Sequence, residues 1–246
     1  MGGLVLGISK TDVTPPKTAA LLPDSKSSTS VEPIQQAIKD GDASLIQSTA
    51  ELADSIAEIS DTYQQDQQGI LQQVYGSDAI TYSPSRNSQF IQVKELSRAF
   101  PLIIGNGGLM LAAASEMDQQ RNAAFGVNII SELSNGNFLE FEPQFKKLLA
   151  WLLTQDSASL LEEKKISLLA VSDGTASKVS DWLEQNFPLW QVQNCKEQEG
   201  LENCLSEISL IVVSTSATFE QSILSSAIED LQSRSVPMLY LHQDSW

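Results

Sequence analysis

The chain has one histidine, His242, and two cysteines, Cys195 and Cys204, so any chemistry needing two imidazoles is excluded at the outset. The zinc-peptidase helix His-Glu-x-x-His is absent from the sequence. No Gly-x-Ser-x-Gly or Gly-x-Cys-x-Gly elbow follows an apolar run, which removes the usual way an α/β sheet presents a nucleophile. Gly105-Asn-Gly-Gly108 is glycine-rich but leads into an apolar run, so hairpin turns explain it better than phosphate binding. Asp40-Gly-Asp42 matches no calcium loop and reads as a helix break followed by a cap. One polar constellation remains. Ser172, Asp173 and Thr175 follow one apolar run, Ser214, Thr215 and Ser216 follow another, and His242 follows the last. If these runs are parallel strands, all seven residues form a rim at their carboxyl ends, where open α/β sheets hold ligands. Hydroxyls, a carboxylate and free backbone N–H groups there suit sugars or carboxylates. The same residue types are also the preferred helix N-caps, and His242 also suits a surface position.

Cys195 and Cys204 bracket a polar segment containing Gly200, which reads as a loop that two sulfurs could close. A bridge there would contribute about 2–3 kcal/mol on the loop-closure model. Two separate thiols of a cytosolic protein are the competing reading. The net charge of −16 speaks against nucleic acid and against anionic membrane surfaces. No apolar stretch is long enough for a membrane span, and the first eight residues lack the basic start of a signal peptide.

Three regions must position these residues. Residues 1–33, with Pro15, Pro16, Pro23 and Pro33 among Ser, Thr, Lys and Asp, form an extended linker. Residues 34–87 form a small helical subdomain. A first short helix spans 34–38 and ends at Gly41, and Asp42 caps a second. Leu45, Thr49, Leu52, Ile56, Ile59 and Tyr63 alternate steps of four and three, a narrow stripe that packs against a neighbouring helix or captures a peptide. Residues 88–246 form an α/β domain. Residues 90–93 read as a short strand, 101–105 and 109–113 as a hairpin about Asn106-Gly107, and 122–126 as the third strand of an antiparallel meander. Helices over 142–153, 175–187 and 219–233 alternate with strands over 166–171, 190–192, 210–213 and 236–241. Apolar runs separated by helices imply a doubly wound, mostly parallel sheet covered on both faces.

The order strand, Asn-Gly hairpin, Ala-rich strand, then Phe145-Lys-Lys-Leu-Leu-Ala-Trp-Leu-Leu153 resembles glutamine-amidotransferase-like domains of secreted bacterial enzymes. Ala37-Ile-Lys-Asp-Gly-Asp-Ala-Ser-Leu45, Val74-Tyr-Gly76 and Tyr82-Ser-Pro-Ser-Arg-Asn-Ser-Gln-Phe90 resemble the helical amino-terminal region of the immunomodulating metalloprotease family. The resemblance covers roughly residues 34–246. It implies an exported, secreted or surface-attached zinc peptidase directed at O-glycosylated, mucin-type proteins. That family's His-Glu-x-x-His pair and distal Glu have no counterpart here, so no catalytic residue and no metal ligand carries over.

Two functions follow as expectations. The first is a non-catalytic accessory module that positions or docks onto a downstream peptidase domain of the same chain, or binds host glycoproteins or glycans. Zinc then belongs to the peptidase domain, and this part needs no cofactor. The chain stops at Trp246 directly after an apolar run, as a fragment of a longer protein would. The alternative is a free-standing amidotransferase-like or hydrolase-like enzyme using the polar rim. A nucleophile without an adjacent base disfavours it.

Overall fold

A computed structural model of the chain describes residues 36, 38–41, 43–76, 88–93, 99–105, 109–117, 120–153, 160–196, 200–214 and 220–242. The expected linker, the Asp42 cap, the hairpin tip at Asn106-Gly107, and Thr215 and Ser216 lie outside these residues. The described residues up to Gln68 belong to one compact unit and those from Gly69 onward to another.

The first unit is dominated by helix α1, Ala43–Val74. Ala, Glu, Gln and Leu lose little freedom in a helix, and α1 is rich in them. Gly76 follows it at φ +61, a left-handed terminating position that costs glycine nothing. The stripe expected to be packed is open over its middle: Leu52, Ile56 and Ile59 are 56%, 48% and 56% exposed.

In the second unit the last turn of α1 is buried through Ile70 and Val74. Tyr75 follows and donates its hydroxyl to the Leu102 carbonyl oxygen at 2.8 Å. Burial pushes that phenol well above its ordinary range, so it stays protonated and donating.

Among the described residues seven strands make one sheet: β1 Phe100–Ile104, β2 Met110–Met117, β3 Gln120–Phe125, β4 Lys164–Leu169, β5 Trp190–Cys195, β6 Leu210–Val213 and β7 Met238–Leu241. Their order is β1-β2-β3-β7-β6-β4-β5. The first three pair antiparallel, as the Asn-Gly signal predicts, and every other pairing is parallel. The meander is therefore continuous with the parallel sheet, joined where β3 pairs with β7 (Ala124 opposite Tyr240). Residues 90–93 are not a ladder strand. They are held by single bonds, Gln89 N–H to the Gly126 carbonyl and Ile91 N–H to the Met110 carbonyl.

The connecting helices are α2 Ile129–Ser134, α3 Glu142–Leu153, α4 Asp173–Asn186, α5 Leu201–Cys204 and α6 Gln221–Ser233. The path from β3 to β4 and on to β5 runs one way across the sheet, and the path from β5 to β6 to β7 runs back. Right-handed crossovers then place α3 and α4 on one face and α5 and α6 on the other. The packing agrees. Side chains alternate along a strand, so Phe125 faces α3 and α4 while Ala124 faces α5 and α6. On the first face an unbroken series of ring contacts runs Tyr75, Phe141, Phe125, Phe145, Trp182, Phe187, Trp190. On the second, Ala124, Leu169, Ile211, Val213 and Tyr240 pack with Leu205, Ile208, Leu224, Ala227 and Leu231.

Arg121 is a buried charge at the start of β3. Its guanidinium donates to the Trp151 carbonyl oxygen at 2.6 Å, pairs with Glu116 at 3.2 Å and lies 5.2 Å from the Trp151 ring centroid. These contacts satisfy a group that is costly to desolvate and tie β2 and β3 to the end of α3.

Candidate functional site

Between neighbours β4 and β6 the chain paths part, one leaving through α4 toward β5 and the other through α6 toward β7. This is the switch point of the sheet, and ligands of open α/β sheets bind in the crevice outside the carboxyl ends of such strands. The described part of the expected rim falls there. Ser172, Asp173 and Thr175 follow β4, Ser214 follows β6, and His242 follows β7 on the far side of β6.

The rim is built largely by local backbone needs. β4 ends at Leu169, and Ala170 then takes a left-handed φ of +56, which turns the chain away from the sheet. In a nucleophile elbow the strained residue itself leads from strand into helix and exposes a reactive atom. Here it is an alanine that is 2% exposed, and Val171 and an extended Ser172 (φ −66, ψ 151) follow before α4 begins. The Ser172 carbonyl oxygen accepts the Thr175 and Ala176 N–H groups at 3.0 and 2.7 Å, closing the first turn. The Ser172 hydroxyl donates to Thr175 Oγ1 at 3.1 Å. Asp173 is exposed and pairs with Lys196, just past β5, at 2.7 Å. An exposed pair like this contributes little to stability.

Ser214 is 1% exposed, and its hydroxyl donates to the Leu241 carbonyl oxygen at 2.8 Å, stitching β6 to β7. His242 is half-buried, and its backbone N–H donates to the Phe125 carbonyl oxygen at 3.1 Å. Of the rim, then, Ser172 and Thr175 pair with each other, Asp173 is outward and reachable, and Ser214 is a strand staple. Lys196 joins the site, and nothing in the sequence flagged it because its partner is twenty-three residues away in the chain. Among the described residues no cluster of three or more His, Cys, Asp or Glu could hold a metal ion. Among the same residues no helix is long and apolar enough to cross a membrane.

Cys195 and Cys204 are joined as a disulfide with their Cα atoms 5.8 Å apart. The segment they enclose is not wholly loop: α5 begins after Gly200, whose φ of +90 makes the turn into it.

With this geometry in place, three comparisons bear on the chain. A family model described as the immunomodulating metalloprotease N-terminal domain matches residues 70–246. The immunomodulating metalloprotease of Pseudomonas aeruginosa is 23% identical over 222 residues, which are 90% of this chain and 23% of that protein. Solved structures of IMPa metallopeptidase in complex with T-antigen, and of IMPa from Pseudomonas aeruginosa in complex with an O-glycopeptide, superpose with a TM-score of 0.61 at 20% identity. They match 77% of this chain and 21% of their own. At that identity the structural likeness establishes the fold alone.

Proposed function

The chain belongs to the immunomodulating metalloprotease N-terminal domain family, and from that premise we propose that it is a non-catalytic accessory module of an exported zinc metallopeptidase acting on O-glycosylated, mucin-type proteins. Its work is positioning: docking onto a downstream peptidase domain or holding the glycoprotein. The carrying observation is the family match over residues 70–246, set beside a sequence with a single histidine. A zinc peptidase site of the common type takes two histidines from one helix, which this chain cannot supply. The relatives whose names speak of T-antigen and an O-glycopeptide support glycans or glycoproteins as partners. An extracytoplasmic location belongs to the same proposal, and the disulfide is consistent with it. The likeness of the α/β unit to amidotransferase-like domains stays a proposal about fold.

If the α/β unit takes a small polar ligand, the switch-point crevice is the place for it, with Ser172, Asp173 and Thr175 on one side, Ser214 (followed in sequence by Thr215 and Ser216) on another, and His242 beside them. Asp173 is the outward carboxylate there, suited to accept sugar hydroxyls. Titrating the purified chain with an O-glycopeptide, and then the Asp173→Ala and Thr175→Ala variants, tests this. Binding that weakens about tenfold or more on losing the carboxylate places the ligand at the crevice, one decade being about 1.4 kcal/mol. Binding that survives both substitutions places it elsewhere.

A further inference from the structure

The disulfide is surrounded by hydrogen bonds that owe nothing to sulfur. Three consecutive carbonyl oxygens at the end of α5 each accept a side-chain donor from a different part of the second face. The Cys204 oxygen accepts from Ser167 Oγ of β4 at 2.7 Å and from Gln193 Nε2 of β5 at 2.5 Å. Gln193 Nε2 also donates to Ser167 Oγ at 2.8 Å, so the three groups form a closed knot. The Leu205 oxygen accepts both Arg234 nitrogens at 3.1 Å, and the Ser206 oxygen accepts Lys165 Nζ at 3.0 Å. Leu205 is 4% exposed and anchors the same segment in the apolar core.

We propose that α5 is a latch that shields the Cys195–Cys204 bridge from reductants, with Ser167, Gln193 and Arg234 as the positioning residues that hold it shut. Reduction by a dithiol begins when its thiolate attacks one sulfur, and the electron pair of the S–S bond leaves on the other. The second thiol of the reductant then closes a ring, releasing the first cysteine. The protein gains two electrons and the dithiol becomes a cyclic disulfide. Cys204 is the more open of the two, and attack there expels Cys195 as a thiolate. Cys195 is 3% exposed among Leu169, Leu205 and Ile208, an apolar surrounding that does not solvate a departing thiolate and so makes it a poor leaving group. Attack at Cys195 is closed by the same packing. The route through Cys204 is slowed by the buried sulfur it must expel and the route through Cys195 waits for α5 to lift, so holding α5 down slows reduction by both.

The experiment follows the rate at which dithiothreitol reduces the intact chain in native buffer and in concentrated urea, read by mass after alkylation. The native wild-type rate is expected to be about 30- to 140-fold below the urea rate, the factor that two to three hydrogen bonds of ordinary net strength supply. The paired substitution Ser167→Ala with Gln193→Leu raises the native rate about tenfold or more and leaves the urea rate unchanged. Arg234→Gln, a half-exposed position, accelerates native reduction in the same direction if the pair of core changes prevents folding. Equal wild-type rates in the two media, or native rates in the folded variants that match wild type, would overturn the latch.

Discussion

Gly126→Ala is expected to destabilise the α/β unit by about 3 kcal/mol or more, the upper end of what overpacking a close-packed interior costs. Gly126 follows β3, and the chain at Gln89 crosses directly over it. A Cβ built on Gly126 would lie 2.8 Å from the Gln89 carbonyl carbon, with the carbonyl oxygen closer still. The obstruction is backbone rather than the end of a flexible side chain, so no rotamer change relieves it. Moving the two segments apart breaks the bond from Gln89 N–H to the Gly126 oxygen, and if Gly126 is the one to shift, its own N–H bond to the Leu111 oxygen of β2 goes as well. Urea denaturation of the variant measures the loss, and Gly69→Ala serves as the opposite control. Gly69 lies within α1 with nothing within 4 Å of its missing Cβ, so alanine there stabilises by about 0.5–1 kcal/mol. A Gly126→Ala midpoint equal to wild type would mean that Gln89 does not cross where the structure puts it.

The second large effect is Phe145→Ala, expected to cost about 3–5 kcal/mol. Phe145 is fully buried on α3 and stands midway in the ring series, 5.7 Å from the Phe125 ring edge-on and 5.6 Å from Trp182. Its removal opens a cavity between β3 and α4 that neither neighbour can fill without leaving its own contacts. Aromatic pairs at such separations contribute about 0.5–1.5 kcal/mol each beyond their buried area, and two are lost together, one edge-on and one tilted. Thermal unfolding followed through tryptophan fluorescence reads the result, because Trp182 reports on the vacated side. Phe145→Leu should recover more than half of the loss. A loss below about 1 kcal/mol for the alanine variant would show that this face is not close-packed.

Much of the α/β unit was legible because its signals are local. Asn106-Gly107 announced the β1–β2 hairpin, and the apolar run Leu210-Ile-Val-Val213 announced a strand buried on both sides. What failed to show were places where polar residues are paired across the fold. β2 and β3 extend through Ser115, Glu116, Gln120 and Arg121, which a hydrophobic pattern ends early. They are strand residues because Gln120 donates to the Val236 carbonyl and Arg121 to the Trp151 carbonyl, partners thirty or more positions away. β5 likewise continues past Val192 because Gln193 finds Ser167 and Cys204. Conversely, β7 starts at Met238 rather than Val236, since Pro237 between them has no N–H to give a ladder. Phe90–Val93 has the composition of a strand but makes only isolated bonds. The α1 stripe was read from periodicity, yet its Leu52, Ile56 and Ile59 stay open, while Ile70 and Val74, beyond it on the same helix, are buried.

At the rim, the residue types and their place at the strand ends were readable from sequence. Their bonding was not. Serine suits a helix cap, a strand staple and a ligand donor equally well, and only the fold puts Ser172 at the N-cap position of α4 with its hydroxyl on Thr175 rather than on a backbone N–H, and Ser214 in the β6–β7 staple. Ala170, Gly126 and Lys196 carried no sequence signal, because strain, close approach and a distant ion pair leave no mark in a local pattern.

The proposal that this module is an accessory rather than a peptidase in itself is tested most directly by elemental analysis and activity on one preparation. The purified chain, supplied with zinc and desalted, is measured for bound metal and for cleavage of an O-glycosylated protein. A folded chain with less than about 0.1 zinc per molecule and no cleavage products is the expected result, because one histidine cannot complete the usual ligand set. Stoichiometric zinc together with cleavage that a chelator abolishes would contradict it.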